Sequence, residues 1–131
     1  MRKMIALIVT LGVLLLCLIG CDDSPIQNFV VSDQSYTSQA DIDVAVQPEK
    51  IDEETDLYAT ASLIESPKGM EYTVNWYIDG TLILSETKAT VNNQRDIVVY
   101  ELVAENVTPG ILRVENVYRD TVLATQELTV E

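Results

Sequence analysis

The sequence predicts an all-β fold, an antiparallel sandwich of seven to eight short strands, over most of its 131 residues. Three observations carry this expectation. Apolar residues recur with a period of two from Asp41 onward. Turn signals interrupt the alternation roughly every 8–12 residues. After residue 21 no stretch shows the apolar stripe of an amphipathic helix. Ahead of the sandwich, the sequence predicts a helical signal segment over 1–20 and a flexible tether over 21–40, leaving 41–131 as the domain.

Taken in order, residues 41–47 put Ile42, Val44 and Val46 on one face and Asp41, Asp43, Ala45 and Gln47 on the other. Residues 55–64 put Leu57, Ala59, Ala61 and Leu63 inward, with Tyr58, Thr60 and Ser62 opposite. Ser66-Pro67-Lys68-Gly69 is a turn by composition. Tyr72, Val74, Trp76 and Ile78 then alternate with Thr73, Asn75 and Tyr77. Asp79-Gly80 is a hairpin signal, and residues 81–85 form the return strand. Residues 87–91 read as a short edge strand, and Asn92-Asn93 turns into a strand over 96–103. Thr108-Pro109-Gly110 leads into 111–118, and Arg119-Asp120 into 121–130. The expected core is Ile42, Val44, Leu57, Leu63, Val74, Trp76, Leu82, Val99, Leu112, Val114, Leu128 and Val130. A chain of this size builds a sufficient core without disulfides.

The N-terminus has a different character. Arg2 and Lys3 precede an uncharged run from Met4 to Gly20, which is 17 residues long. That is the lower edge of the roughly 17–25 residues that span a bilayer. A basic start, an apolar middle and a small residue before the cut are the layout of a secretory signal. Leu18-Ile19-Gly20-Cys21 resembles the lipobox of bacterial lipoproteins. The resemblance implies cleavage before Cys21, a diacylglycerol thioether on its sulfur, and acylation of its amine. Two or three acyl chains anchor stably where one does not, at about 0.8 kcal/mol per buried methylene. The competing reading is an uncleaved membrane helix. Either way the basic start favours a cytoplasmic N-terminus and an extracytoplasmic domain. By the same resemblance, Asp22 signals retention at the periplasmic face of the inner membrane in hosts with enteric-type sorting. In other hosts the domain sits on the outer face of the cell membrane. The tether over 21–40 is rich in Ser, Asp, Gln, Asn and Thr. Its r.m.s. span is roughly 24 Å and its limit about 60 Å. Phe29-Val30-Val31 interrupts it, either docking on the domain or forming a short edge strand.

Val74-Asn75-Trp76-Tyr77-Ile78-Asp79-Gly80 resembles the third strand of immunoglobulin-like domains, with a core tryptophan and a tight turn after it. No cysteine pair flanks Trp76, so the resemblance is to the disulfide-free bacterial and fibronectin-like members. The alternative all-β fold is a small barrel. In an immunoglobulin-like sheet the third strand neighbours the sixth. That brings Asn75 and Tyr77 beside Arg113 and Glu115, our candidate binding face. Tyr and Arg are favoured at interfaces.

Charge and composition narrow the chemistry. The chain has 8 Lys+Arg against 21 Asp+Glu and no histidine, for a formal charge of -13. A nucleic-acid partner is therefore not expected. The net charge favours a basic partner and disfavours anionic lipid surfaces. Without histidine or a free thiol no nucleophile–base pair is evident, so no catalytic residue, cofactor or metal ligand is assigned. Ser66 and Lys68 flank Pro67 as an exposed turn rather than a dyad. The acidic run from Glu49 to Asp56 lacks the spaced Asp–Asn–Gly pattern of calcium loops and reads as a solvated loop. The expected partners are the membrane, through lipid on Cys21, and an unidentified protein or glycan. A second possibility is an accessory subunit that pairs through a sheet edge.

Overall fold

The computed structural model describes residues 24–131. Leu18, Ile19, Gly20, Cys21 and Asp22, on which the signal and lipobox expectations fall, lie outside the described residues. The described chain runs β1 (Ile26–Ser32), α1 (Gln39–Asp43), β2 (Lys50–Ile51), β3 (Leu57–Ser66), β4 (Glu71–Ile78), β5 (Thr81–Ala89) and β6 (Gln94–Leu102). A 3₁₀ turn (Ala104–Asn106), β7 (Gly110–Tyr118) and β8 (Thr121–Val130) follow. The strands form a three-stranded sheet, β1-β3-β6, facing a five-stranded sheet, β2-β8-β7-β4-β5. All pairings are antiparallel except β2 with β8.

The core follows from alternation. Leu57, Ala59, Ala61 and Leu63 of β3 share one core with Tyr72, Val74, Trp76 and Ile78 of β4, and Leu112, Val114, Leu128 and Val130 lie beside the β4 residues in the same sheet. Trp76 is fully buried. Two tyrosines bring their hydroxyls inside with partners. Tyr100 Oη donates to the Tyr72 carbonyl at 2.8 Å, and the Tyr72 hydroxyl lies 2.8 Å from Ser66 Oγ. Burial pushes the Tyr100 hydroxyl far above its ordinary pKa, and the nearby Glu86 charge adds to the shift. Asn116 sits in the same interior with neither amide atom hydrogen-bonded.

Several sequence expectations are corrected. The segment assigned to a tether contains β1, so the sandwich begins well before Asp41. The cause is its own alternation: Phe29 and Val31 enter the core while Asn28 and Val30 face outward. Each buried apolar side chain is worth about 1.5–3 kcal/mol, and the pairing with β3 satisfies the backbone.

Residues 41–47 are not a strand. Ser38 caps α1, its Oγ accepting from the Asp41 N–H at 3.2 Å, and Asp41 lies in the first turn. Capping prevails over the period-two pattern there. Ile42 is buried, but Val44 is 78% exposed and leaves the expected core. Residues 81–89 form one continuous strand rather than two. A bulge between Trp76 and Tyr77 pairs Tyr77 with Leu82, which turns Leu82 outward at 50% exposure. On β6 the inward set is Val98, Tyr100 and Leu102, so Val99 faces out.

Turns close the framework. Asp79 and Gly80 both have positive φ, 49° and 83°, as the hairpin connecting β4 to β5 requires. Asp79 also ties the next loop: its Oδ1 accepts from the Ile111 N–H at 2.9 Å.

Candidate functional site

The outer faces of the two sheets differ. On the three-stranded sheet the α1 segment packs over the strands. Gln39 Nε2 donates to Asn28 Oδ1 at 2.9 Å, and Ser62 Oγ donates to the same oxygen at 2.7 Å. Thr60 and Ser62 are fully buried there. On the five-stranded sheet the outward residues remain half-exposed, and Asn75, Tyr77, Arg113 and Glu115 are among them.

These four residues occupy two adjacent strands. Asn75 lies opposite Glu115, and Tyr77 opposite Arg113. The Arg113 guanidinium carbon is 4.4 Å from the Tyr77 ring centroid, stacking distance for a cation on an aromatic face. Arg113 Nε lies 3.3 Å from Glu115 Oε2, an ion pair without hydrogen-bond alignment. Asn75 Oδ1 accepts from Ser85 Oγ at 2.6 Å, and the Thr73 and Thr87 hydroxyls are 2.7 Å apart. Leu82 stands across from Tyr77 and Glu127 across from Arg113. The surface is a preorganised strip: an aromatic ring, a guanidinium held flat on it, a carboxylate and an amide. It can offer hydrogen bonds and stacking; no proton-transfer pair is formed by these side chains. Thr73, Leu82, Ser85 and Thr87 belong to the strip and were not singled out from sequence. The parity of β5 would have found Ser85 and Thr87, whereas the bulge hid Leu82.

The sheet edges are a second kind of surface. Gln47 closes the β1 edge, with Oε1 accepting from the Val31 N–H at 2.8 Å and Nε2 donating to the Val31 carbonyl at 2.7 Å. Gln126 Nε2 donates to the Phe29 carbonyl at 2.8 Å. Lys88 Nζ donates to the Val99 carbonyl of β6 at 2.6 Å and lies 5.5 Å from the Tyr100 ring centroid. β2 covers the end of β8. β5 pairs only with β4 and forms the open margin of its sheet. Asp41 and Asp43, placed on one face of a strand by the period-two pattern, lie in α1 instead.

Elsewhere, the acidic segment from Glu49 to Asp56 is tied down through its backbone. Glu53 N–H donates to the Glu131 carbonyl at 2.9 Å and Glu54 N–H to the Val107 carbonyl at 3.0 Å. Asp56 Oδ1 accepts from the Ala104 N–H at 2.7 Å. Among the described residues no three His, Cys, Asp or Glu side chains converge as a metal set. The Ser66 hydroxyl is buried against Tyr72, while Lys68 sits on the exposed turn. A groove of about 370 Å³ opens between Tyr36, Thr37 and Gln39 on one side and Arg95, Ile97 and Val99 of β6 on the other. Beside it, Asp96 is partly desolvated, which opposes ionisation. Hydrogen bonds from the Val91, Asn92 and Ile97 N–H groups and the Asn92 amide overcome this and lower its pKa.

No protein-family model matches the chain, and no curated protein sequence matches it. Solved structures do. An immunoglobulin-like protein from Pseudomonas aeruginosa superposes with a TM-score of 0.50 at 16% identity, covering 83% of this chain and 94% of that one. The fold is an immunoglobulin-like sandwich. A β-glucosidase from Listeria innocua, solved with glucose, matches with a TM-score of 0.50 at 15% identity over 66% of this chain. The chain spans only 15% of that enzyme's length. The CARDB domain of a Pyrococcus furiosus protein, solved with di-metal ions, superposes with a TM-score of 0.43 at 12% identity, covering 83% of this chain and 90% of that one. At such identities the likeness concerns the architecture of the immunoglobulin-like domain alone.

Proposed function

We propose that the chain is a lipid-anchored lipoprotein of the bacterial cell envelope. Its immunoglobulin-like domain is a non-catalytic binding module for a protein or glycan. The observation that carries the binding reading is the difference between the two outer faces. One is covered by the chain's own α1 segment, and the other presents the Tyr77–Arg113 stack with Asn75 and Glu115 half-exposed. Stacked Tyr and Arg are rigid, amphipathic contact groups that lose little entropy on docking. The anchor reading is supported by Arg2, Lys3, the apolar run and Leu18-Ile19-Gly20-Cys21, with Asp22 as a sorting residue in enteric-type hosts.

Two measurements test this. An intact-mass spectrum of membrane-extracted protein reads the anchor. Loss of residues 1–20 with a diacylglycerol and acyl gain is expected, absent in Cys21→Ala. An unprocessed mass refutes the anchor. Photo-crosslinkers placed in living cells at Asn75 and Tyr77, and separately along β5, read the surface. Crosslinks from the face support recognition there, and silence at every position removes the binding reading.

A second reading has its own observation: side chains bond edge backbone groups of β1 and β6, β2 covers the end of β8, and the long strand β5 pairs with β4 alone. This favours an accessory subunit that pairs through the β5 edge. Crosslinks confined to Ile83 and Glu86 would favour it over face recognition.

A further inference from the structure

β5 is the open margin of the five-stranded sheet, and the hydrogen bonds around it show which of its backbone groups are free. From Leu84 to Ala89 it pairs with β4 without irregularity, Leu84 opposite Trp76 and Ala89 opposite Glu71. Just beyond, the Thr90 N–H donates to the Met70 carbonyl and the Thr90 carbonyl accepts from the Gly69 N–H, each at 2.9 Å. Successive residues of a strand direct these groups to opposite sides. Thr90, Lys88 and Glu86 therefore bond toward β4, while Ser85, Thr87 and Ala89 direct their N–H and C=O groups outward. The side chains alternate as well. Glu86 and Lys88 share a face with Val74 and Tyr72, at the margin of the core. Lys88 Nζ spends one of its donors on the Val99 carbonyl and keeps the others. Glu86 has no ion-pair partner among the described residues. Ser85 and Thr87 lie on the opposite face, bonded to Asn75 and Thr73.

Resting on the reading of β5 as a pairing edge, we infer that its partner is the β5 of a second copy of this chain, joined antiparallel about a two-fold axis through Thr87. In that register Thr87 faces Thr87 and Ser85 faces Ala89, so each outward backbone group of these residues meets a complementary one. Glu86 stands opposite Lys88 of the other copy, and the symmetry repeats the pair. Ile83, 37% exposed, stands level with Val91 of the other copy, 69% exposed. Neighbouring registers fail. An axis through Glu86 or Lys88 sets like charges against each other, and one through Ser85 sets Glu86 against Leu84 and Lys88 against Leu82. The same two charges select the partner. A lysine on an edge strand discourages chance pairing, because most strands would leave it unmatched. A strand carrying Glu and Lys at the same spacing in the reverse direction matches it, and β5 is such a strand. One anion and one cation cancel toward any charged surface but match each other across a two-fold axis.

The test uses the purified full chain carrying Thr87→Cys, an exposed site, under mild oxidation. Facing Cα atoms in a hydrogen-bonded antiparallel pair are about 5.5 Å apart, within the disulfide range of about 4.4–6.8 Å. The expected result is a disulfide-linked dimer whose joined peptides, identified by mass, meet at position 87. The unsubstituted chain, run alongside, accounts for links through Cys17 and Cys21. Added to this background, Glu86→Lys or Lys88→Glu should each weaken self-association by about 100-fold, since both charge pairs become repulsive. An equimolar mixture of the two should restore linkage as a mixed dimer, and the exchange Glu86→Lys/Lys88→Glu should restore it within one sequence. Misfolded variants would do neither. No linkage at 87, or linkage indifferent to these charges, overturns the two-fold register. In living cells a photo-crosslinker at Thr87 should give an adduct of twice the chain's mass. An adduct with a different protein overturns the second copy and leaves the edge reading standing; no adduct overturns both.

Discussion

Gln47→Ala should expose the most consequential contact that lies outside the apolar core. The Gln47 amide makes two hydrogen bonds to the Val31 backbone, at 2.7 and 2.8 Å, and a third to the Pro48 carbonyl at 3.0 Å. Val31 is fully buried. A typical hydrogen bond is worth about 0.5–1.5 kcal/mol net, and a buried backbone group left without a partner costs about 1–3 kcal/mol. Water can reach the vacated edge in part, so the loss should be about 2–3 kcal/mol. Gln47→Glu is the sharper probe. It keeps the acceptor for the Val31 N–H but sets a carboxylate oxygen against the Val31 carbonyl, so it should cost at least as much as alanine. Urea melts of both variants, with hydrogen exchange at the Val31 amide, provide the readout. A change below about 0.5 kcal/mol, with Val31 exchange unaltered, would refute the claim that this side chain holds β1 in place.

Other consequences follow from individual residues. Asn116→Val removes two unpaired buried amide atoms and should stabilise the domain by about 1–2 kcal/mol in a thermal melt; destabilisation would reveal a partner for the amide. Gly110→Ala places a Cβ 2.7 Å from Asp79 Oδ2 at a φ of +146°, and should cost more than about 2 kcal/mol in the same melt. Asp96 has a lowered folded pKa, so its contribution is present above the unfolded value near 3.8 and is lost as pH falls through the folded value. Asp96→Asn should accordingly flatten the acid limb of a stability–pH profile measured by denaturant melts. Tyr77→Ala should leave the melting temperature within a few degrees, because the ring is half-exposed, while abolishing crosslinks from the neighbouring face.

The sequence was most legible where one face is buried and turns are written in Gly and Asp. β4 and β8 have the expected bounds, and Asp79-Gly80 makes the expected hairpin. Legibility failed where two local preferences compete. Ile42, Val44 and Val46 alternate like a strand, yet the Ser38 cap with Asp41 three residues later was also present and prevailed. On β6, Ile97-Val98-Val99 offers apolar residues in both parities, so alternation could not choose the face. In β1, Phe29-Val30-Val31 was legible as a short edge strand, but the polar composition around it hid the strand's full length. The candidate face was legible because β4 and β7 are neighbours with regular registers. The edge contacts of Gln47 and Gln126 were not, since they depend on partners 16 and 97 residues away.

The placement of β1 has a mechanical consequence. The chain enters the sandwich at Ile26, at one end of the molecule, while Glu131 leaves at the other. Tension between whatever precedes Ile26 and a load on the far end therefore runs along the strands. The β1–β3 hydrogen bonds resist together, in shear, instead of opening one after another as a zipper. Pulling from the opposite end of β1 would peel it from β3 one bond at a time. Entry at Ile26 makes the terminal strand a strut, able to transmit a sustained tug into the sheet without giving up the edge that Gln47 and Gln126 close.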